Sequence, residues 1–264
     1  MLIDIGANLT HESFEADFGA VLDRARDAGV AEMIVTGASH TGSIAAAALA
    51  SRHAHLFATA GIHPHHADET TPEVLATLRE LLGDSNVVAV GETGLDFFRD
   101  FSPRDLQASS FEAHIELAIE TGLPMFLHER DAWPRFGEIV SHYRDQLGDL
   151  VVHCFTGERE ALHHYLDLDC HIGITGWICD ERRGTHLHDL VPDIPRDRLM
   201  IETDAPYLMP RNIRPRPKTR RNEPANLPAI RDFLATLLEM PAEELARLTT
   251  ANARRFFRLP AVPA

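Results

Sequence analysis

Val87-Val88-Ala89-Val90-Gly91-Glu92 is a short apolar run that stops on a carboxylate. A run of this length without polar alternation reads as a strand buried on both faces, the habit of parallel sheets. The pattern recurs along the chain. Pro124-Met125-Phe126-Leu127 leads into His128, Leu150-Val151-Val152 into His153, and Leu199-Met200-Ile201 into Glu202-Thr203-Asp204. In parallel α/β sheets the chemistry collects at the carboxyl ends of the strands. Four such endings, all His, Asp or Glu, predict a metal site assembled from distant parts of the chain.

Outward from these runs, strand-like and helix-like stretches alternate. Residues 1–6, 33–36 and 56–60 read as earlier strands, the third opening into Gly61-Ile62-His63-Pro64-His65-His66, and 170–174 reads as the seventh. Helical spacing covers 14–29, 43–52, 74–82, 105–121, 132–147 and 158–166, with a shorter helix around 186–190. Helices over 227–239 and 242–257 close the chain. About eight β–α units in a chain of this length predict one domain, 1–264, folded as a TIM (β/α)8 barrel. A doubly wound open sheet is the alternative. It fits less well because the candidate ligands come from many strands instead of one switch point.

The formal net charge is −15, which argues against a protein held to nucleic acid by its whole surface and leaves room for a local basic patch. Such a patch exists. Residues 210–221 (Pro-Arg-Asn-Ile-Arg-Pro-Arg-Pro-Lys-Thr-Arg-Arg) hold six basic side chains and no acidic one, directly after the eighth strand. The three cysteines, Cys154, Cys170 and Cys179, have no CxxC spacing, so neither a disulfide framework nor a thiolate zinc site is expected. No apolar run is long enough to span a membrane, and the amino terminus begins as a strand with no basic leader. A cytoplasmic protein is expected, without membrane attachment. No coiled-coil or interface stripe stands out, so a monomer is the expected state.

Imidazole and carboxylate together suit Mg²⁺, Mn²⁺ or Zn²⁺ better than a soft thiolate metal. Glu92 is the natural central ligand, His128 and His153 approach from neighbouring strands, and Asp204 closes the ring from the eighth strand. His63 is placed nearest the mouth, where it would orient substrate or water, with His65 and His66 in the loop beyond it. Glu202, two residues from Asp204, either faces the mouth as a supporting carboxylate or is buried against Arg198. Arg130, Arg182, Arg183, Arg220 and Arg221 are the candidate phosphate-binding residues at the rim. A metal beneath a rim of arginines matches phosphoester hydrolysis, in which an ion acidifies water and offsets charge developing on the phosphoryl oxygens.

Six segments extend these observations. Asp4-Ile5-Gly6-Ala7-Asn8-Leu9, Gly61-Ile62-His63-Pro64-His65, Gly91-Glu92-Thr93-Gly94-Leu95-Asp96, His128-Glu129-Arg130-Asp131-Ala132, His153-Cys154-Phe155-Thr156-Gly157 and Ile201-Glu202-Thr203-Asp204-Ala205-Pro206-Tyr207 resemble the TatD family of metal-dependent deoxyribonucleases. Residues 173–183 and 220–224 resemble one branch of it in particular. The resemblance implies an amidohydrolase-like TIM barrel, a Mg²⁺-dependent enzyme (Mn²⁺ as the alternative ion), and 3′–5′ exonuclease action on single-stranded DNA or RNA ends with a role in DNA repair. It places metal ligands at Glu92, His128, His153 and Asp204 and a catalytic set at Glu92, Asp204, His63 and Glu202. One feature departs from the family. Many members open with Asp-x-His-x-His, whose histidines hold a second ion, where this chain has Gly6 and Asn8. Glycine has no side chain to ligate and an amide oxygen is a weaker ligand than imidazole. One firm metal position is therefore expected, with a weaker one near Asp204 that fills when a substrate phosphate is present. The rival functions are a D-aminoacyl-tRNA deacylase or another metal-dependent ester or amide hydrolase on the same scaffold, and a binding protein with a vestigial site.

Overall fold

In the computed structural model, which describes residues 1–260, parallel strands follow one another in chain order around a single eight-stranded sheet. Residues 261–264, the end of the unit expected over 1–264, lie outside the described residues. The strands are β1 (Leu2–Ala7), β2 (Val30–Val35), β3 (Leu56–Ala60), β4 (Val87–Asp96), β5 (Met125–Arg130), β6 (Leu150–Val152), β7 (His171–Ile174) and β8 (Leu199–Ile201). The sheet closes where the chain beyond β8 meets β1. Asp204 N donates to Gly6 O at 2.9 Å, Asn8 N donates to Ala205 O at 2.7 Å, and Ala7 bridges Ala205 in parallel. This is the expected TIM barrel.

Helices α1 (Phe18–Asp27), α2 (His40–Ala50), α3 (Pro72–Leu81), α4 (Arg104–Thr121), α5 (Trp133–Tyr143) and α6 (Arg159–Asp167) each follow a strand, and α7 (Leu227–Leu237) and α8 (Ala242–Phe256) follow β8. The apolar strands serve two cores at once, which is why they do not alternate. Inside the barrel Ile3, Ile5, Ile34, Phe126, Val151 and Met200 pack together, and Phe256 and Phe257 at the end of α8 plug the floor. Outside it, Phe14, Phe111, Phe136 and Tyr165 fill the layer between sheet and helices. With its floor sealed by rings, the barrel is open to chemistry only at the carboxyl ends of its strands.

Three elements differ from expectation. The helix expected around 186–190 is a pair of 3₁₀ turns, Thr185–Asp189 and Val191–Asp193. Gly184 and Pro192 bound a segment too short to pass the nucleation cost of an α-helix. The first helix starts at Phe18, not 14, after a separate 3₁₀ turn at Glu12–Phe14. The third difference matters for function: β4 and β5 run past Glu92 and His128, pairing Gly94 with His128, Leu95 with Glu129 and Asp96 with Arg130. Gly91-Glu92-Thr93-Gly94 has the composition of a turn but is a strand pressed against its neighbour. A Cβ on Gly94 would collide with the His128 carbonyl, and φ is +142° there. Only glycine satisfies both conditions. Gly94→Ala is therefore expected to destabilise the protein by about 1–3 kcal/mol, read as a lower urea midpoint with an unchanged slope.

Candidate metal centre

At the upper end of the barrel one carboxylate oxygen gathers three imidazoles. Glu92 Oε1, on β4, lies 2.7 Å from His153 Nε2, 3.1 Å from His128 Nδ1 and 3.3 Å from His63 Nε2. His153 follows β6, His128 is on β5 and His63 follows β3, so four strands converge on one point. Glu92, His63 and His153 are buried and His128 is half-buried. Asp204, beyond β8, is half-buried and near enough to feel the charges of His153, Glu92 and Glu202, with its Oδ1 accepting from Asn8 Nδ2 at 3.0 Å.

Burial and charge set the protonation tendencies of these groups. Burial alone would drive His128 and His153 toward the neutral form. Both are instead raised, His128 by hydrogen bonds to Asp96 and Glu92 and His153 by the charges of Glu92 and Glu202. Glu92 is held well below the usual carboxylate range: burial opposes this, but the pull of His153 and His63 prevails. Burial raises Asp204 to about 7, with repulsion from Glu92 and Glu202 partly offset by attraction to His153. The carboxylates thus draw positive charge into the pocket. A divalent cation would satisfy the same demand with nitrogen and oxygen donors suited to it. His63, Glu92 and His128 each offer a ligand atom within 4.8 Å of one another. His128 Nε2 is buried without a hydrogen bond, 3.4 Å from Asp96 Oδ2. The residues fit a divalent metal ion.

The histidines are not equivalent. His153 Nδ1 faces Glu202 Oε2 at 3.4 Å, so with a metal ion in place of the second proton the remaining one would stay on Nδ1 and leave the Nε2 lone pair for the ion. That is how a carboxylate behind a histidine makes it a ligand. His63 has the opposite arrangement. Its Nδ1 accepts from the backbone N–H of His65 at 3.1 Å, and burial holds its pKa down to about 4. Neutral His63 therefore carries its proton on Nε2 and presents a donor to the site.

Glu202 is wholly buried, and not against Arg198, which pairs with Asp169. Its Oε1 accepts from Cys154 N at 2.6 Å, locking the carboxylate beneath His153. The same carboxylate explains Gly6. A Cβ at residue 6 would run into Glu202 Oε2 and come within 2.9 Å of the Phe126 ring, and one at Gly173 would sit 2.6 Å from Glu202 Oε1. Glu202 occupies the space into which a side chain at position 6 would project.

Residues given no role from sequence also take part. Asp96, at the far end of β4, is buried between His65 Nε2 at 2.7 Å and His128, and accepts from the N–H groups of Phe98 and Arg99. His65, expected in the loop, is thereby tied to the site. Asp4, wholly buried, accepts from Thr203 N at 2.9 Å and Thr203 Oγ1 at 2.5 Å, fixing the turn that presents Asp204. Burial pushes Asp4 up to about 7 against those hydrogen bonds.

The basic rim is partly as expected. A pocket of about 750 Å³ beside the mouth is lined by Trp177, Arg182, Arg183, Arg211, Arg214 and Arg220, among others. Arg182 and Arg183 reach it while paired to Asp180 at 3.0 Å each. Arg130 donates to Thr156 Oγ1 at 2.8 Å. Arg221 is a correction. Its guanidinium turns away to Asp17, at 2.7 Å, and to the Ser13 carbonyl, stacking over Phe14, so it fastens the loop to α1. Neighbouring Asn222 is buried and donates to Thr203 O at 3.0 Å, anchoring the same loop to the β8 turn.

Comparison with known proteins identifies the family and the fold. A family model described as TatD related DNase matches residues 3–258. A protein of Erwinia billingiae (strain Eb661) named 3′-5′ ssDNA/RNA exonuclease TatD is 49% identical over 261 residues, covering 98% of this chain and 100% of that protein. The crystal structure of YJJV, a TatD homolog from Escherichia coli, superposes with a TM-score of 0.90 at 28% identity over 98% of both chains. A Saccharomyces cerevisiae protein described as an uncharacterized amidohydrolase shares the fold, with a TM-score of 0.84 at 22% identity over 97% of this chain and 99% of that one.

The contrast between the two histidines is measurable without turnover. In Mn²⁺ titrations by calorimetry, His153→Ala is expected to weaken binding at least ~100-fold, and His63→Ala by less than about tenfold. Equal losses would make His63 a ligand as well.

Proposed function

We propose, from the premise that this chain belongs to the TatD-related DNase family, that it is a metal-dependent 3′–5′ exonuclease acting on single-stranded DNA or RNA ends. The observation that carries this reading is the convergence of three imidazoles on Glu92 Oε1 beneath an arginine-lined rim. The chain is a hydrolase of nucleic acid. Its proposed setting is a monomer in the cytoplasm, acting in DNA repair. Among the described residues no helix is long and apolar enough to cross a membrane.

Glu92, His128 and His153 would hold a divalent ion, Mg²⁺ or otherwise Mn²⁺, with Asp204 close enough to share it. When bound, such an ion supplies Lewis acidity toward the phosphoryl group and toward water. The remaining work falls to the side chains. Glu202 keeps the His153 proton on Nδ1, and Asp96 holds His128 from behind. His63 offers its Nε2–H to an oxygen of the scissile phosphate or to the attacking water, as a catalytic donor. Asp204, half-buried and held by Asn8, is suited to move a proton. Arg130, with Arg182, Arg183 and Arg220 further out, is placed to bind successive phosphates through the fixed fork of the guanidinium.

A 5′-labelled single-stranded oligonucleotide tests this directly. With Mg²⁺ the expected product is a ladder shortening from the 3′ end, lost in EDTA and in Glu92→Ala. Release of an amino acid from aminoacyl-tRNA, with the oligonucleotide left intact, would replace this reading by a deacylase.

A further inference from the structure

The mouth of the barrel carries a second chemistry beside the candidate metal ligands. Among the described residues, three aromatic side chains are strongly exposed: Phe98, Phe101 and Tyr207, at 57%, 66% and 51%. All three lie just beyond strand ends, Phe98 and Phe101 after β4 and Tyr207 after β8. Phenylalanine left in water gains nothing for the fold, and these rings sit beside the catalytic cluster, not on a remote face. Phe101 packs 4.7 Å from His65, whose Nε2 is bonded to Asp96, the carboxylate behind His128. Phe98 lies 5.0 Å from the Arg130 guanidinium, which has the Trp177 ring 4.9 Å away, and Trp177 in turn has the Arg183 guanidinium at 4.1 Å.

The result is a continuous series of planar groups, Phe98, Arg130, Trp177 and Arg183, crossing from the β4 end to the β7 end. Phe101 extends it toward His65. Alternating aromatic and guanidinium planes are what a surface needs to take unpaired bases while holding their phosphates, because every base has a π-face and every nucleotide a charge. Paired bases are already stacked and cannot use it.

We propose that Phe98 and Phe101 form the base-stacking wall for the nucleotides next to the scissile phosphate. They would make the enzyme select unpaired strands without regard to base identity. This rests on the exonuclease reading above. On this proposal Arg130 binds phosphate while its guanidinium lies against Phe98 and Trp177. Specificity for single strands then comes from exposed rings on the β4 loop, separate from the groups that perform hydrolysis.

The test compares two 5′-labelled strands of one length with the Mn²⁺-loaded enzyme: one with ordinary bases, the other with abasic residues over its last few 3′ positions. The wild type is expected to prefer the ordinary strand in kcat/KM by about tenfold or more, the worth of one lost stack. In Phe98→Ala/Phe101→Ala that preference should collapse toward one, because cleavage of the ordinary strand falls to the abasic level. Tryptophan at both positions should restore it. Equal cleavage of both strands by the wild type, or an undiminished preference in the alanine variant, would overturn this proposal alone. Cleavage of neither strand by the wild type would overturn the exonuclease reading and the stacking wall together.

Discussion

Carboxylates removed from water are costly unless something positive or hydrogen-bonding meets them. This barrel gathers Asp4, Glu92, Asp96, Glu202 and Asp204 at one end of its sheet. Much of the local structure follows from that constraint. Asp4 is answered by Thr203, Glu202 by the Cys154 N–H and His153, and Asp96 by two backbone N–H groups and His65. Glu92 is answered only by imidazoles, which are cations only if protonated. A metal ion removes the need for those protons, so the residues that stabilise the charged cluster are also those that make it a catalyst. The glycines belong to the same account. Gly6 and Gly173 leave room for the Glu202 carboxylate, and Gly91 and Gly94 let β4 carry Glu92 and Asp96 against β5.

The departure at positions 6 and 8 has a physical counterpart here. Where a family pattern with histidine at position 6 would project a ring, this chain has the Glu202 carboxylate supporting His153. Asn8 holds Asp204 by a hydrogen bond and contributes no imidazole. The site is thus weighted toward the β4, β5 and β6 side.

The barrel and the contacts of Glu92 with His128 and His153 were legible because both depend on local pattern: unbroken apolar runs, and the residue that ends each one. What escaped depends on contacts the sequence does not display. Asp96 lies beyond a glycine-rich stretch that reads as a turn, and only its pairing with β5 shows that the strand continues. His65 looked like loop because its partner was unseen. Asp4 was visible as part of a motif, but its bond to Thr203 spans 199 positions. Arg221 belongs to a basic run by composition, yet Asp17, distant by 204 positions, takes its guanidinium away from the rim. Periodicity placed the helix around 186–190 where the bounding glycine and proline leave room only for 3₁₀ turns.

The central claim is that substrate-free protein holds one ion, between Glu92, His128 and His153, with Asp204 poised beside it. Anomalous diffraction from crystals grown with modest Mn²⁺ and no nucleic acid tests it most directly. The account predicts a single peak bonded to Glu92 and His153 Nε2, with His63 Nε2 outside bonding distance. Two peaks of comparable height, with the second bonded to Asp204 and near Gly6 and Asn8, would contradict it.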